Sequence, residues 1–453
     1  MVRQTYLCIT IQEPRYDTRI VNIQYVLVVH IVHTVLTLCI LFVIRVSDKL
    51  IQRQNPQQTP QTPLDYRNNT SAAMNMFKLL LSKLTNGNFS DLSKEQDNLL
   101  GLSSLSRGRK HILLLATTRT GSSFVGEFFN QHGESMFYLF EPLWHVERML
   151  ASSEEGNTGT MVGDVYRDVL QGLFLCDFSP LERFISPSPQ EHVTAALFRR
   201  ESSVSLCEEP VCKPYSPTEM YHCKTRRCGP LNLTLAAESC KSKQHHAIKT
   251  VRVRQLDSLQ PLVEDPRLDI RIIQLVRDPR AILASRMVAF SSKYRTWKTW
   301  ALDGQVTEKN KNTPMTKDVM KQTFYLFISL VGLSQPRWLR GRYMLVRYED
   351  IARYPMEKAQ EMYRFTGIPF SDKARDWIVR NTQTTQGASG IYSTQKNSSE
   401  QAEKWRFNIP FTLAQAVQRV CGPTMELFGY KFVHDKNTLV NKSISLLEEK
   451  VFY

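Results

Sequence analysis

The chain is predicted to be an α/β protein, a three-layer fold around a mainly parallel sheet, and three observations predict it. Short apolar runs of strand length recur at residues 112–116, 136–140, 247–251, 270–276 and 343–348, each too short for a buried helix. Segments with apolar residues at helical spacing lie between them, so strands and helices alternate along the chain. The first and fourth runs also end in a polar loop that opens directly into a helix, as expected where helices connect parallel strands.

The loop after the first run is the most informative stretch. It reads Thr117-Thr118-Arg119-Thr120-Gly121, and Ser122 and Ser123 then open a segment in which Phe124, Val125, Phe128 and Phe129 recur at helical spacing. Strand, tight loop and helix N-terminus together bind phosphate, because free amides and the positive helix end face the loop. Against the Walker A pattern, Ala116 replaces the first glycine, Gly121 keeps the second, and Ser122 stands where the lysine should be. The loop's cation is Arg119 instead. A P-loop kinase or nucleotidase would therefore lack its phosphate lysine, and no metal-binding aspartate is obvious.

The second run ends in Glu141-Pro142. A carboxylate just past a strand end, on the same side as the first loop, is suited to proton transfer; its alternative is a helix N-terminal carboxylate or a structural ion pair. His145, one helical turn on, is the rival base, its alternative being a partly buried histidine. The fourth run leads into Arg277-Asp278-Pro279-Arg280, with Pro279 suited to the first helical turn and Asp278 to the cap. Arg277, Ser285 and Arg286 are positioned to converge on a second anion. The fifth run precedes Glu349-Asp350, which begins a helix; further helices are expected at 162–175, 255–263, 355–366, 371–381 and 413–427. Lys404-Trp405-Arg406 offers cation, aromatic and cation together, able to clamp an adenine or a sugar face, or else to start a solvated helix.

The 453 residues carry a net charge of +15, which points to an anionic partner such as nucleic acid, anionic lipid or acidic glycan. Residues 20–44 hold no formal charge, enough to cross about 30 Å of hydrocarbon at about 1.5 Å per residue. They are expected to anchor the chain behind a cytoplasmic tail at 1–19, with a stem at 45–106 and a globular domain at 107–453. Asn68, Asn69, Asn88, Asn232, Asn397 and Asn441 all stand in N-x-S/T sequons beyond the span. The insertion at 199–245 is cysteine-rich, and the spacing of Cys207, Cys212, Cys223, Cys228 and Cys240 does not fit a zinc ribbon. With Cys176 upstream they read as disulfides in an oxidising lumen, and with Cys421 counted the number is odd, so one is left over.

The pairing of ATTRTGSSF with QLVRDPRAILASR, together with LFEPLWH, GRYMLVRYED and STQKNSSEQAEKWR, resembles the Golgi carbohydrate 6-O-sulfotransferases acting on galactose, N-acetylgalactosamine and N-acetylglucosamine, and within them the chondroitin-acting members most. The resemblance covers residues 107–451. It implies transfer of a sulfuryl group from 3′-phosphoadenylyl sulfate (PAPS), with no metal, to the 6-hydroxyl of N-acetylgalactosamine in chondroitin. Galactose in keratan sulfate or N-acetylglucosamine are the alternative acceptors. It implies that Thr117, Thr118, Arg119, Thr120, Gly121, Ser122 and Ser123 form the 5′-phosphosulfate loop. The stretch Arg277, Asp278, Pro279, Arg280, Ala281, Ile282, Leu283, Ala284 and Ser285 is similar to the 3′-phosphate site, with Arg277 and Ser285 as the matching ligands.

By the same resemblance, Glu141 matches in position the glutamate base of the heparan sulfotransferases. A sugar hydroxyl is far too weak an acid to ionise at neutral pH, so a base helps, while loop amides, Arg119 and the helix end would stabilise charge on the leaving oxygen. The positive charge then fits a polyanionic glycosaminoglycan rather than nucleic acid. Golgi membrane attachment as a single-pass type II protein is expected, and a homo-oligomer is compatible with the sequence. A non-catalytic glycosaminoglycan-binding membrane protein would account for the charge but would not require two phosphate loops.

Overall fold

Five short apolar runs become five parallel strands. In the computed structural model the described residues are 108–152, 159–185, 197–212, 231–292, 329–382 and 398–452. The strands are β1 (His111–Leu115), β2 (Met136–Phe140), β3 (His245–Thr250), β4 (Ile270–Val276) and β5 (Tyr343–Arg347), in the order β2-β3-β1-β4-β5. All four pairings are parallel. β3 starts two residues before the apolar run predicts, because His245 and His246 pair with Met136 and Phe137 and are themselves buried.

The helices cover both faces, as the near-continuous apolar composition of the strands demands. Ile112 and Leu114, Tyr138, Ala247, Ile273, Met344 and Val346 share one face at alternate positions. Against it pack α1 (Ser122–Asn130), α6 (Tyr348–Arg353), α7 (Pro355–Thr366) and α8 (Asp372–Thr382), through Val125, Phe128, Ile351, Met362 and Ile378. On the other face lies α3 (Gly159–Phe174), whose Phe174 ring meets His111 edge-on at 5.5 Å. Further helices are α2 (Leu143–Ser152), α4 (Leu233–Ser242), α5 (Pro279–Ala289), α9 (Trp405–Asn408), α10 (Phe411–Leu427) and α11 (Lys436–Val440), with short ones at Ser179–Glu182 and Ser398–Glu403. The helix expected at 255–263 is two short turns instead, Asp257–Leu259 and Gln260–Val263, the second opened by Pro261.

The strand order reverses at β1. Its crossover leads towards β2 on one side while that of β4 leads to β5 on the other, so the ends of β1 and β4 flank a crevice of the kind α/β sheets use for ligands. The register brings Leu115 beside Gln274 and Phe140 beside Lys249, so all three loops singled out in the sequence leave the same edge of the sheet.

Of the predicted segments, the anchor at 20–44, the stem, Cys223, Cys228 and the sequons Asn68, Asn69, Asn88 and Asn397 lie outside the described residues. Among the described residues no helix is long and apolar enough to cross a membrane. Cys176 and Cys240 form a disulfide, Cys207 and Cys212 are also disulfide-bonded, and Cys421 is a buried thiol in α10.

Candidate active site

The first loop is shaped from within. Thr120 Oγ1 donates to Thr117 O at 2.6 Å and accepts from Thr117 N at 3.1 Å, closing a tight turn. Gly121 follows at φ +94°, and a Cβ there would lie 2.3 Å from the Tyr348 ring. Glycine is therefore required on two counts, handedness and space. Ser122 and Ser123 then open α1 with their amides facing the loop, the arrangement that favours an anion.

The second loop is tied onto the first by arginines. Asp278 caps α5, its carboxylate accepting from Arg280 N at 2.8 Å, and Pro279 takes the first helical position. That geometry directs Arg277, Ser285 and Arg286 towards β1. Arg277 Nη1 donates to Arg119 O at 3.1 Å, Arg286 donates twice to Thr118 O at 2.9 and 3.1 Å, and Arg119 Nε donates to Ser285 Oγ at 3.0 Å. The Arg277 guanidinium lies 4.5 Å from the Tyr348 ring centroid, and its buried Nε has no hydrogen-bond acceptor among the described residues. A buried guanidinium N–H without a partner is costly and suits an anion arriving at this point. Arg277, Ser285 and Arg286, expected to converge on a second anion, all contact the first loop, at Arg119 or Thr118.

Glu141 leaves β2 beside β3. It is buried, with Oε1 ion-paired to Lys249 and Oε2 accepting from Arg252 Nη1 at 2.6 Å. Among the described residues only four non-glycine positions have positive φ, and two of them are Arg119 (74°) and Glu141 (56°). Strain of this kind, on the order of 1–3 kcal/mol each, concentrates at functional sites. His145 is buried on α2 with its ring edge-on to Trp144 at 5.0 Å.

Two groups of expected contacts resolve differently. Arg280 is fully buried beneath the loop, with its guanidinium on Asp278 and on Gln418 Oε1 at 2.7 Å, and Ala281, Leu283 and Ala284 face the core. Pro279 and Ile282 line a pocket with Thr117, Thr120 and Arg277. The clamp expected from Lys404, Trp405 and Arg406 is an internal structure. Arg280 stacks over Trp405 at 4.8 Å, while Arg406, 1 % exposed, donates to the carbonyls of Thr438, Leu439, Asn441 and Ile444. A guanidinium saturated by main-chain carbonyls has nothing left for an adenine or a sugar, and only Lys404 remains exposed.

The structure adds residues that sequence reasoning missed. Lys249 sits within an apolar run, and a buried cation in a strand covered on both faces is the signal that would have marked it. Tyr348 underlies both loops. Glu349 accepts from Asp278 N at 3.0 Å and from Tyr430 Oη at 2.9 Å, and burial pushes its carboxyl up to about 7 despite the nearby Arg277.

A family model described as a sulfotransferase domain matches residues 109–429. The chain is 60% identical over 344 residues to carbohydrate sulfotransferase 3 of Homo sapiens, covering 76% of this chain and 71% of that protein. It is 54% identical to carbohydrate sulfotransferase 3 of Tetronarce californica, over 77% and 78% of the two chains, and 45% identical to carbohydrate sulfotransferase 1 of Danio rerio, over 76% and 83%. Among solved structures, a sulfotransferase domain from the curacin biosynthetic pathway aligns with a TM-score of 0.36 at 17% identity, over 70% of this chain and 98% of that one. With the domain match spanning most of the chain and relatives this similar in sequence, the protein belongs to the carbohydrate sulfotransferase family.

Proposed function

We propose that this enzyme transfers a sulfuryl group from PAPS to the 6-hydroxyl of N-acetylgalactosamine in chondroitin. The observation that carries the donor half is the pair of arginine-laced loops at one sheet edge, tied by Arg277 Nη1 on Arg119 O, with the buried Nε of Arg277 lacking an acceptor among the described residues. Arg277 and Ser285 would hold the 3′-phosphate. Arg119, the α1 N-terminus and the amides of Ser122 and Ser123 would hold the 5′-phosphosulfate and take up negative charge on the leaving oxygen. The donor supplies the activated sulfuryl group.

Glu141 is the residue for the acceptor proton, standing at the end of β2, on the same edge of the sheet and one strand removed from β1. Lys249 and Arg252 fix its orientation through one carboxylate oxygen each. As the acceptor oxygen bonds to sulfur and the sulfur–oxygen bond to the nucleotide breaks, the hydroxyl proton passes to Glu141. His145, the rival base, is buried to the same degree and lies edge-on to Trp144. The net charge of +15 suits a polyanionic glycan. Measuring 35S transfer from PAPS onto desulfated chondroitin and onto keratan, and mapping the labelled carbon, tests the reading. Label on keratan alone, or away from C6, would overturn the acceptor assignment.

The same proposal puts the domain in the Golgi lumen behind an anchor at 20–44. The Cys176–Cys240 disulfide supports an oxidising compartment, and the two described sequon asparagines, Asn232 and Asn441, are both exposed. An endoglycosidase mobility shift with a protease-protected C-terminus on intact vesicles is the expected result.

A further inference from the structure

A ladder of alternating charge runs outward from Glu141. Lys249 pairs with Glu141, Glu141 with Arg252 at 2.6 Å, Arg252 Nε with Glu147 at 2.9 Å, and Glu147 with Arg254 Nη2 at 3.1 Å. Side-chain exposure rises along it, from 4% and 6% through 15% to 37% and 51%. The inner rungs are desolvated and fix the proposed base. The outer rungs are open, and exposed ion pairs contribute little to stability.

Local sequence explains the geometry. Past the end of β3, Val251 and Val253 are buried while Arg252 and Arg254 alternate with them, so both guanidiniums emerge on one side. Glu147 comes from α2, the helix that begins just after Glu141. Two arginines are thus held apart from each other by a single, half-exposed glutamate.

We propose that Arg254, with Arg252 behind it, binds a carboxylate of the acceptor glycan, which takes the place of Glu147. An incoming carboxylate reproduces the charge that Glu147 supplies, so the inner rungs keep their balance, and a guanidinium fork matches a carboxylate's two oxygens. In chondroitin each N-acetylgalactosamine is flanked by a uronate, so this contact fixes one sugar while the 6-hydroxyl of its neighbour reaches Glu141. The inference rests on the acceptor reading given above and makes the uronate, rather than overall negative charge, the feature selected.

The test compares chondroitin with carboxyl-reduced chondroitin, which keeps the sugars and loses the uronate charge, using the full chain with the donor's 3′,5′-bisphosphate product present. Arg254→Ala is expected to weaken chondroitin binding about tenfold, and to raise its KM in step, with affinity for the carboxyl-reduced polymer moving less than twofold. Arg254→Lys, keeping charge without the fork, should recover part of the loss. Glu147→Gln removes the competitor and is expected to tighten chondroitin binding alone. Equal losses on both polymers in Arg254→Ala, or no loss on either, overturns the proposal. The binding comparison decides it even for an enzyme that sulfates neither polymer, a result that would count against the acceptor reading alone.

Discussion

At the scale of single residues, Glu141 has two duties that mutation can separate. It is proposed to take a proton, and it also neutralises Lys249 and Arg252 in a buried setting. Glu141→Gln keeps the shape, loses the base and leaves two cations short of one negative charge. Turnover should fall by about 10² to 10⁴ from loss of the base, while the broken buried pair costs about 3–5 kcal/mol of stability. Turnover corrected for folded fraction, read beside the melting temperature, distinguishes the duties; a folded variant with near-normal turnover removes Glu141 from the chemistry. Arg277 makes a cleaner case, since its Nε has no acceptor among the described residues. Arg277→Ala should weaken the 3′,5′-bisphosphate product by about tenfold to a hundredfold, the loss of one charge-assisted contact. Unchanged affinity by titration calorimetry would sink the 3′-phosphate assignment. Both residues were legible in the sequence because each follows an apolar strand run. Lys249 and Tyr348 were not, since only the strand register, which sets Phe140 beside Lys249, and the close approach of the Tyr348 ring to Gly121 give them their roles.

At the scale of elements, the donor site depends on how closely one loop lies on another. Gly121 is the point of contact, where a Cβ would fall 2.3 Å from the Tyr348 ring at a φ of +94°. Gly121→Ala should therefore shift the loop, and with it Arg119, whose carbonyl receives Arg277. The expected outcome is loss of product-nucleotide affinity greater than tenfold with the sheet still folded, measured by titration together with circular dichroism. Retained affinity would mean the loop tolerates displacement and is not the anion's cradle. The elements themselves were largely readable from sequence. All five strands follow from apolar run length, and α5 from Asp278 and Pro279. The Lys404-Trp405-Arg406 segment was misread because cation–aromatic spacing does not reveal what lies opposite. Here the opposite groups are Arg280 and the carbonyls from Thr438 to Ile444, brought in by the chain's return after α10.

At the scale of the whole molecule, the two ends of the sheet carry opposite chemistry. The carboxyl ends gather the arginines and carboxylates of the site, while the amino ends gather buried neutral histidines. His111 and His246 lie ring to ring at 5.2 Å, and His111 and His245 use Nδ1 to accept the main-chain amides of Asp269 and Lys110. Those bonds exist only while the rings are unprotonated at Nδ1. Burial pushes His111 down to about 3 and His132 and His246 to about 4, and lowers His245 as well. Their folded values lie below the unfolded value of about 6.5, so between those limits the unfolded chain binds more protons and stability falls as pH falls. Glu349, raised to about 7, acts in the other direction across about pH 7 to 4.5, since its folded form takes a proton first. Glu127 and Asp257, also raised by burial, act with Glu349, but the four imidazoles outnumber these three carboxyls and the net effect is a loss of stability as pH falls. The urea midpoint should therefore drop steeply from pH 7 to pH 5. His132→Phe, which keeps the ring stacked on Tyr363 and removes one titrating group, should make that drop shallower. A midpoint that is flat across this range, or a variant with the same slope as the parent, would mean the amino-end histidines do not set the acid limit of the fold.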